Sequence, residues 1–402
     1  MSSPSSLLIE EDETLARDQS LLCLSNRNRR LRNRLLKWSP SSPRDATGRD
    51  TRRPSANTRR DLDSTMSVRE RVSSVLATLP PARHAFAYGS AVLRDASVSN
   101  AERALDVVVV VDDPAQWHAK NMEMNPSHYA GQMRASGARG VDFVSRQLGV
   151  GAHYNSRLSD ALGRAFKYGV VGKEDLLDDM HTWRHLFVAG RMHKPHYEAL
   201  GCEEVRRAQT LNIRAAARAA LLTLPESFSE GEFHRAVVGL SYHGDIRFIF
   251  AAEDGKKIER IAAANSDEMR EMYAEALAER VDIGRLSESP TTSSQWSQDK
   301  SPDAVIGLLA DLPPSVLTML GNAARAPADA SPEETATVVS QAFKNDSTRV
   351  SAAVSVCLRQ IVRVSSARQA FAALLSTSPT KTVGYVGAKF FKAASSVFEK
   401  SK

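Results

Sequence analysis

At 402 residues, with 42% hydrophobic and 25% charged residues, the chain has the length and balance of a globular protein with room for two substantial cores. Lysine and arginine outnumber the acids 53 to 47, which favours anionic partners such as nucleotides, nucleic acid or acidic lipid surfaces without choosing among them. Cys23, Cys202 and Cys357 stand far apart, which argues against a disulfide framework or a thiolate metal site, and no apolar run reaches the ~18 residues of a membrane-spanning helix.

Residues 1–65 differ from the rest. An acidic patch, Glu10 to Glu13, precedes a stretch rich in Arg and Ser and poor in acids, running from Arg17 to Arg60. That composition suits a mitochondrial presequence, although the acidic patch departs from the pattern and a disordered basic tail fits as well. Ser67 to Ala77 reads as a helix with Val68, Val72, Val75 and Leu76 on one side. Ala85 to Tyr88 and the Val-rich run Leu105 to Val111 read as buried strands, the first ending in Gly89-Ser90 and the second carrying Asp106 near its start. Asp113 then caps a helix beginning at Pro114, which places Trp117, Asn121, Asn125 and His128 on one face. Such a polar face either lines a nucleotide pocket or satisfies buried backbone.

Further along, GVGAHYN (149–155) supplies two glycines around a tight turn, and Lys167-Tyr168-Gly169 closes another short segment. A helix is expected over Asp175 to Trp183. Arg191, His193, Lys194 and His196 then cluster within six residues, as a solvated basic loop or as one facing phosphates. An Ala-rich helix covers Asn212 to Leu222, and Ser229 with Glu232 forms a capping box for a helix ending at Leu240. SYHGDIRFIF then reads as a turn into a strand, so helix, helix and strand suggest a winged-helix-like unit. Met269 to Val281 is another helix, Ser287 to Asp303 a polar linker, and the chain from Ala304 mainly helical. The last stretch, Thr380 to Lys402, mixes Tyr385, Phe390, Phe391 and Phe398 with five lysines, which suits a helix in a lipid headgroup layer or one docked on its own domain.

A Gly-Ser turn leaving a strand lets backbone N–H groups approach a phosphate, and an acid on the neighbouring strand can hold Mg²⁺ against it. Alone, the same pattern also describes ordinary α/β core. The longer string narrows the choice. FAYGS, LDVVVVVDDPAQWHAKNMEMNPSHY, GVGAHYN, KYGVV (167–171), FVAGRMHKP (187–195), LPESFSE (224–230) and GLSYHGDIR (239–247) together resemble the mitochondrial phosphatidate cytidylyltransferase family, over roughly residues 68 to 396.

The resemblance implies an α/β fold. A polymerase-beta-like nucleotidyltransferase domain (66–205) would be followed by a winged-helix-like domain (206–285), a linker (286–303) and a helical C-terminal region (304–402). It also implies CMP transfer from CTP to phosphatidic acid with Mg²⁺, at the matrix side of the mitochondrial inner membrane. The protein would be peripheral, touching anionic lipid through its tail, with no nucleic-acid partner expected. Asp106 and Lys167 are then the candidate catalytic residues. Tyr88, Gly89, Ser90, Asn121, His128, Tyr168, Arg191, His193, Lys194, Tyr242, Asp245 and Arg247 are the candidate contacts to CTP and its phosphates.

The usual superfamily pair of acids two residues apart is missing, since Ala104 and Val108 flank Asp106 at that spacing. Asp112 is the other candidate metal ligand, but six strand residues at ~3.3 Å put it about 20 Å away. Two other classes fit the residues: a nucleotidyltransferase acting on nucleic acid, and a non-enzymatic inner-membrane assembly factor.

Overall fold

A computed structural model describes residues 67–93, 104–246, 256–288 and 295–377. The presequence-like segment 1–65, Arg247 and the tail 380–402 lie outside the described residues. The chain opens with α1 (Val68–Leu76), capped by Ser67 and Glu70 in a reciprocal box, with Val72 and Val75 buried as the periodicity predicts. Next come β1 (His84–Tyr88) and β2 (Leu105–Val111), paired antiparallel so that Tyr88 stands opposite Asp106. Asp113 accepts the Gln116 N–H at 3.0 Å and Pro114 takes the first position of α2 (Pro114–Met124). With α3 (Gly131–Phe143) and β3 (Ala152–Ser159), α2 leads to β4 (Ala165–Gly172), which runs parallel to β2.

α4 (Lys173–Thr182) and β5 (Tyr197–Leu200) complete a mixed five-stranded sheet in the order β3-β4-β2-β1-β5. Both of its faces are covered, which is why β2 is nearly all valine. Leu105, Val107, Val109 and Val111 pack with α1, Trp117 and Tyr168 on one side. Val108 and Val110 join the larger core on the other.

That larger core continues through the helices that follow. α5 (Glu203–Thr223) extends the expected Ala-rich helix in both directions, and α6 (Glu230–Leu240) starts at the expected Ser229–Glu232 box. α7 (Lys257–Ala264) and α8 (Ser266–Asp282) come next. The stretch expected as a polar linker instead contributes strands. β6 (Ser227–Ser229), β7 (Leu286–Glu288) and β8 (Gln295–Gln298) form an antiparallel sheet in the order β6-β8-β7. The polar residues there have a job: Gln298 Nε2 donates to the carbonyls of Leu221 and Pro225 at 3.1 and 2.7 Å, and Lys300 Nζ to Leu221 at 2.9 Å. These bonds satisfy carbonyls that the end of α5 leaves open.

α9 (Pro302–Ala310), α10 (Pro314–Ala324), α11 (Pro332–Ala342) and the 30-residue α12 (Ser347–Ser376) finish the described chain. Among the described residues no helix is long and apolar enough to cross a membrane.

Candidate active site

The site sits at the end of β1, on the face of the sheet opposite α1 and Trp117. Register fixes its centre. Asp106 pairs with Tyr88 on one side and Lys167 on the other, so all three side chains leave the same face. Lys167 Nζ lies 3.1 Å from Asp106 Oδ1, an ion pair without the alignment of a hydrogen bond, and that buried oxygen has no hydrogen-bond partner. Gly89 presses on the other oxygen. Its φ is +76°, and a Cβ built there would lie 2.9 Å from Asp106 Oδ2. Only glycine lets the turn (Gly89–Ala91) take this path so close to the acid. Ser90 is exposed at its tip.

Arg191 is held in an aromatic cage. Its guanidinium carbon lies 3.9 Å from the centre of the Phe187 ring, 5.3 Å from Tyr88 and 5.9 Å from Tyr154, and Nη1 donates to the Phe187 carbonyl. Gly169 makes room for Tyr154, because a Cβ there would meet the ring at 2.6 Å. Lys194 is 6% exposed and donates to the Gly190 carbonyl and, at 2.8 Å, to Ser241 Oγ. Lys194 and Lys257 both sit over the Tyr242 ring, at 5.1 and 5.7 Å.

Three cations, Lys167, Arg191 and Lys257, thus act on one acid, and Lys194 lies beside two of them. Burial raises the Asp106 carboxyl above the usual range, while Lys167, Arg191 and Lys257 pull it back. Burial, with Arg191 and Lys257 adding repulsion, lowers the Lys194 ammonium to about 7. The arrangement suits a polyanion. It offers fixed positive charge from β4, from the 189–194 segment and from α7, around a carboxylate oxygen that has no donor of its own.

Residues 72–392 match the family model described as mitochondrial phosphatidate cytidylyltransferase. The chain is 34% identical over 312 residues to the Bos taurus protein of that name, covering 77% of this chain and 89% of the relative. It is similarly 34% identical over 314 residues to the Xenopus laevis protein, with the same shares covered. It is 38% identical over 225 residues to the Danio rerio protein, which covers 53% of this chain and 66% of the relative. The chain belongs to the mitochondrial phosphatidate cytidylyltransferase family.

Of the family residues carried over from the sequence, Tyr88, Gly89, Asp106, Lys167, Arg191, Lys194 and Tyr242 come together. Others do not join them. Tyr168 follows Lys167 on β4 and so faces the opposite side of the sheet, with Asn121 and His128 bonded to it. There Asn121 Nδ2 and Asn155 Nδ2 donate to the Tyr168 oxygen at 2.7 and 2.9 Å, which directs the phenol proton to His128 Nδ1 at 2.9 Å. His118, Tyr129 and His153 extend this buried network. On the polar face of α2, Asn125 Nδ2 donates to the Thr78 carbonyl at 2.8 Å, whereas Asn121 and His128 bond the Tyr168 phenol.

His193 packs on Trp183 and bonds Asn212 Oδ1 at 2.9 Å, and burial lowers its imidazole to about 3. Asp112 is at the far end of β2, 2.6 Å from Arg83 in an exposed ion pair, so it does not share a metal with Asp106. Asp245 is buried where Gly244 packs against the backbone of Arg359 on α12. Sequence reasoning missed Lys257, Tyr154 and Phe187. The KYGVV glycine was the available signal for Tyr154, since a small residue in a strand marks a close approach.

Proposed function

We propose that the chain transfers CMP from CTP to phosphatidic acid, giving CDP-diacylglycerol and pyrophosphate for mitochondrial phosphatidylglycerol and cardiolipin synthesis. One observation carries the reading: a left-handed glycine set against a largely buried aspartate that Lys167, Arg191 and Lys257 act on, with Lys194 beside the last two.

A phosphate oxygen of phosphatidic acid forms the new bond to the α-phosphorus. The bond from that phosphorus to the bridging oxygen breaks, and pyrophosphate leaves with the electron pair. The attacking oxygen is already anionic, so no strong general base is needed. The difficulty is bringing two anions together, and fixed cations that offset charge in a partly buried site supply that. The caged Arg191 and buried Lys194 serve the triphosphate and the departing pyrophosphate. Lys167, with its side chain 40% exposed, faces the open side where a lipid phosphate arrives.

The residues fit Mg²⁺ as the cofactor. Asp106 Oδ1 lacks a hydrogen-bond partner, and magnesium characteristically uses one or two carboxylates with substrate phosphates and water. Asp106 would hold it. The metal would supply charge neutralisation at the phosphates.

The five-stranded sheet with Gly89 at a strand end supports the polymerase-beta-like assignment, and α5, α6, α8 with the β6-β8-β7 sheet support a winged-helix-like unit. We place the protein on the matrix side of the mitochondrial inner membrane, bound peripherally. α12 carries Arg349, Arg359, Arg363 and Arg368 and no acid, and it exposes Val356, Val364, Phe371 and Leu374. The basic tail 380–402 would extend that contact with anionic lipid.

The test is the full-length protein with labelled CTP, Mg²⁺ and phosphatidic acid in liposomes. A lipid-soluble cytidine product, lost in Asp106→Asn, is expected. No such product, or undiminished turnover by Asp106→Asn, rejects the reading.

A further inference from the structure

Asp179 on α4 takes no part in the chemistry above, yet it is 4% exposed and its carboxylate accepts five backbone N–H groups in succession. Oδ1 receives His185 and Leu186 at 2.9 and 2.7 Å. Oδ2 receives Phe187, Val188 and Ala189 at 3.1, 3.1 and 3.2 Å. The segment so wrapped is not one the backbone adopts freely, because Trp183 and Leu186 both hold positive φ, 54° and 49°. A buried loop must satisfy its N–H groups somewhere, and here one side chain satisfies five of them.

What the loop carries makes this more than packing. Phe187 is both the ring under the Arg191 guanidinium and the carbonyl that receives its Nη1. Two bonds of the same segment then steady the next residues, Asn212 Nδ2 to the Ala189 carbonyl at 3.2 Å and Lys194 Nζ to the Gly190 carbonyl.

We propose that Asp179 is a positioning residue for Arg191: by gathering the N–H groups of 185–189 it fixes Phe187, and Phe187 fixes the guanidinium that meets the triphosphate. The proposal rests on the phosphate-binding role given to Arg191 above. It is tested on the full-length protein with Asp179→Asn, Arg191→Lys and the double variant.

Asparagine keeps the volume but puts an NH₂ where at least two N–H groups now point. Hydrogen exchange should rise in the amides of 185–191 and nowhere else, and CTP should bind at least tenfold more weakly. The double variant should bind no more weakly than the weaker single variant, because both losses pass through one guanidinium. Unchanged exchange at 185–189, or losses that multiply in the double variant, overturns the proposal. Wild-type protein that binds no CTP would reject the transferase reading, and the exchange contrast alone would then decide this one. Should Asp179→Asn not fold, Phe187→Leu carries the test, since it keeps the carboxylate and its five donors. A comparable loss of CTP affinity supports the link, and full affinity breaks it.

Discussion

Gly89→Ala is the most discriminating single change. It has two separable effects. The first is conformational: an L-residue at φ +76° costs roughly 1–2 kcal/mol wherever it occurs. The second belongs to the site. The new methyl would stand 2.9 Å from Asp106 Oδ2, where ordinary contact begins at 3.4 Å, so the carboxylate must retreat by ~0.5 Å or turn away. Asp106 has little freedom to do so, with its side chain 14% exposed and Lys167 3.1 Å away. Displacement on this scale at a reacting centre costs on the order of 10²-fold in rate.

Gly163→Ala is the matched control. Gly163 has φ +83° in the β3–β4 hairpin, with nothing within 4 Å of the added Cβ. Both variants should lose similar thermal stability by calorimetry, a few degrees each. Only Gly89→Ala should lose about 10²-fold in turnover of CTP with phosphatidic acid liposomes. Equal activity in the two variants would refute the claim that the glycine is there for the aspartate.

Other outcomes follow from the same geometry. Arg191→Lys replaces a planar cation stacked on three rings by a point charge, and should lower kcat/KM for CTP about tenfold or more, measured by steady-state kinetics. Lys194, with its ammonium lowered to about 7, is charged below that pH and neutral above it, so kcat/KM for CTP should decline as pH rises from 6.5 to 8.5. Lys194→Gln should give a lower profile without that step. Tyr168→Phe leaves the buried amides of Asn121 and Asn155 short of an acceptor and should cost about 1–3 kcal/mol in denaturant unfolding. Its KM for CTP should be unchanged, because the phenol lies behind the sheet.

Burial lowers His84 and His153 to about 4 and His193 to about 3. The unfolded chain takes up these protons first, so stability should be full above the ordinary histidine value near 6.5. It should fall as pH drops from there toward 4, by roughly 1.4 kcal/mol per pH unit for each histidine. Melting curves between pH 7 and 5 check the sign.

The parts of this molecule that local chemistry dictates are readable in the sequence alone. The β2 limits, the Asp113–Pro114 helix start and the Ser229–Glu232 capping box are encoded by immediate neighbours, and the structure has them as read. Gly89 and Asp106 were also legible, because a Gly-Ser turn and a strand-borne acid each have a narrow range of uses. The side of the sheet was harder. Lys167 and Tyr168 are consecutive, and the pleat sends one to the cations and the other to the back network, a choice that depends on which partner β4 finds. Asn121 and His128 went with Tyr168 for the same reason. Lys257 carries no local sign of its role, since only tertiary packing brings it to Tyr242, whereas Phe187 lies just four residues before Arg191 but is turned onto it by a loop that Asp179 organises from α4. Ser287 to Asp303 looked like a linker because its polar groups serve the end of α5, a helix more than sixty residues earlier.

The parallel pairing of β2 with β4 has a consequence for how the protein comes into being. Asp106 meets Lys167 only after an intervening sixty-residue excursion has folded back, and Lys257 arrives later still. A polypeptide emerging end-first from a ribosome or a translocation pore therefore presents its lone acid long before the charges that balance it. No early fragment is a miniature of the finished catalyst. Competence switches on late, with closure of long-range contacts rather than with the appearance of any one motif.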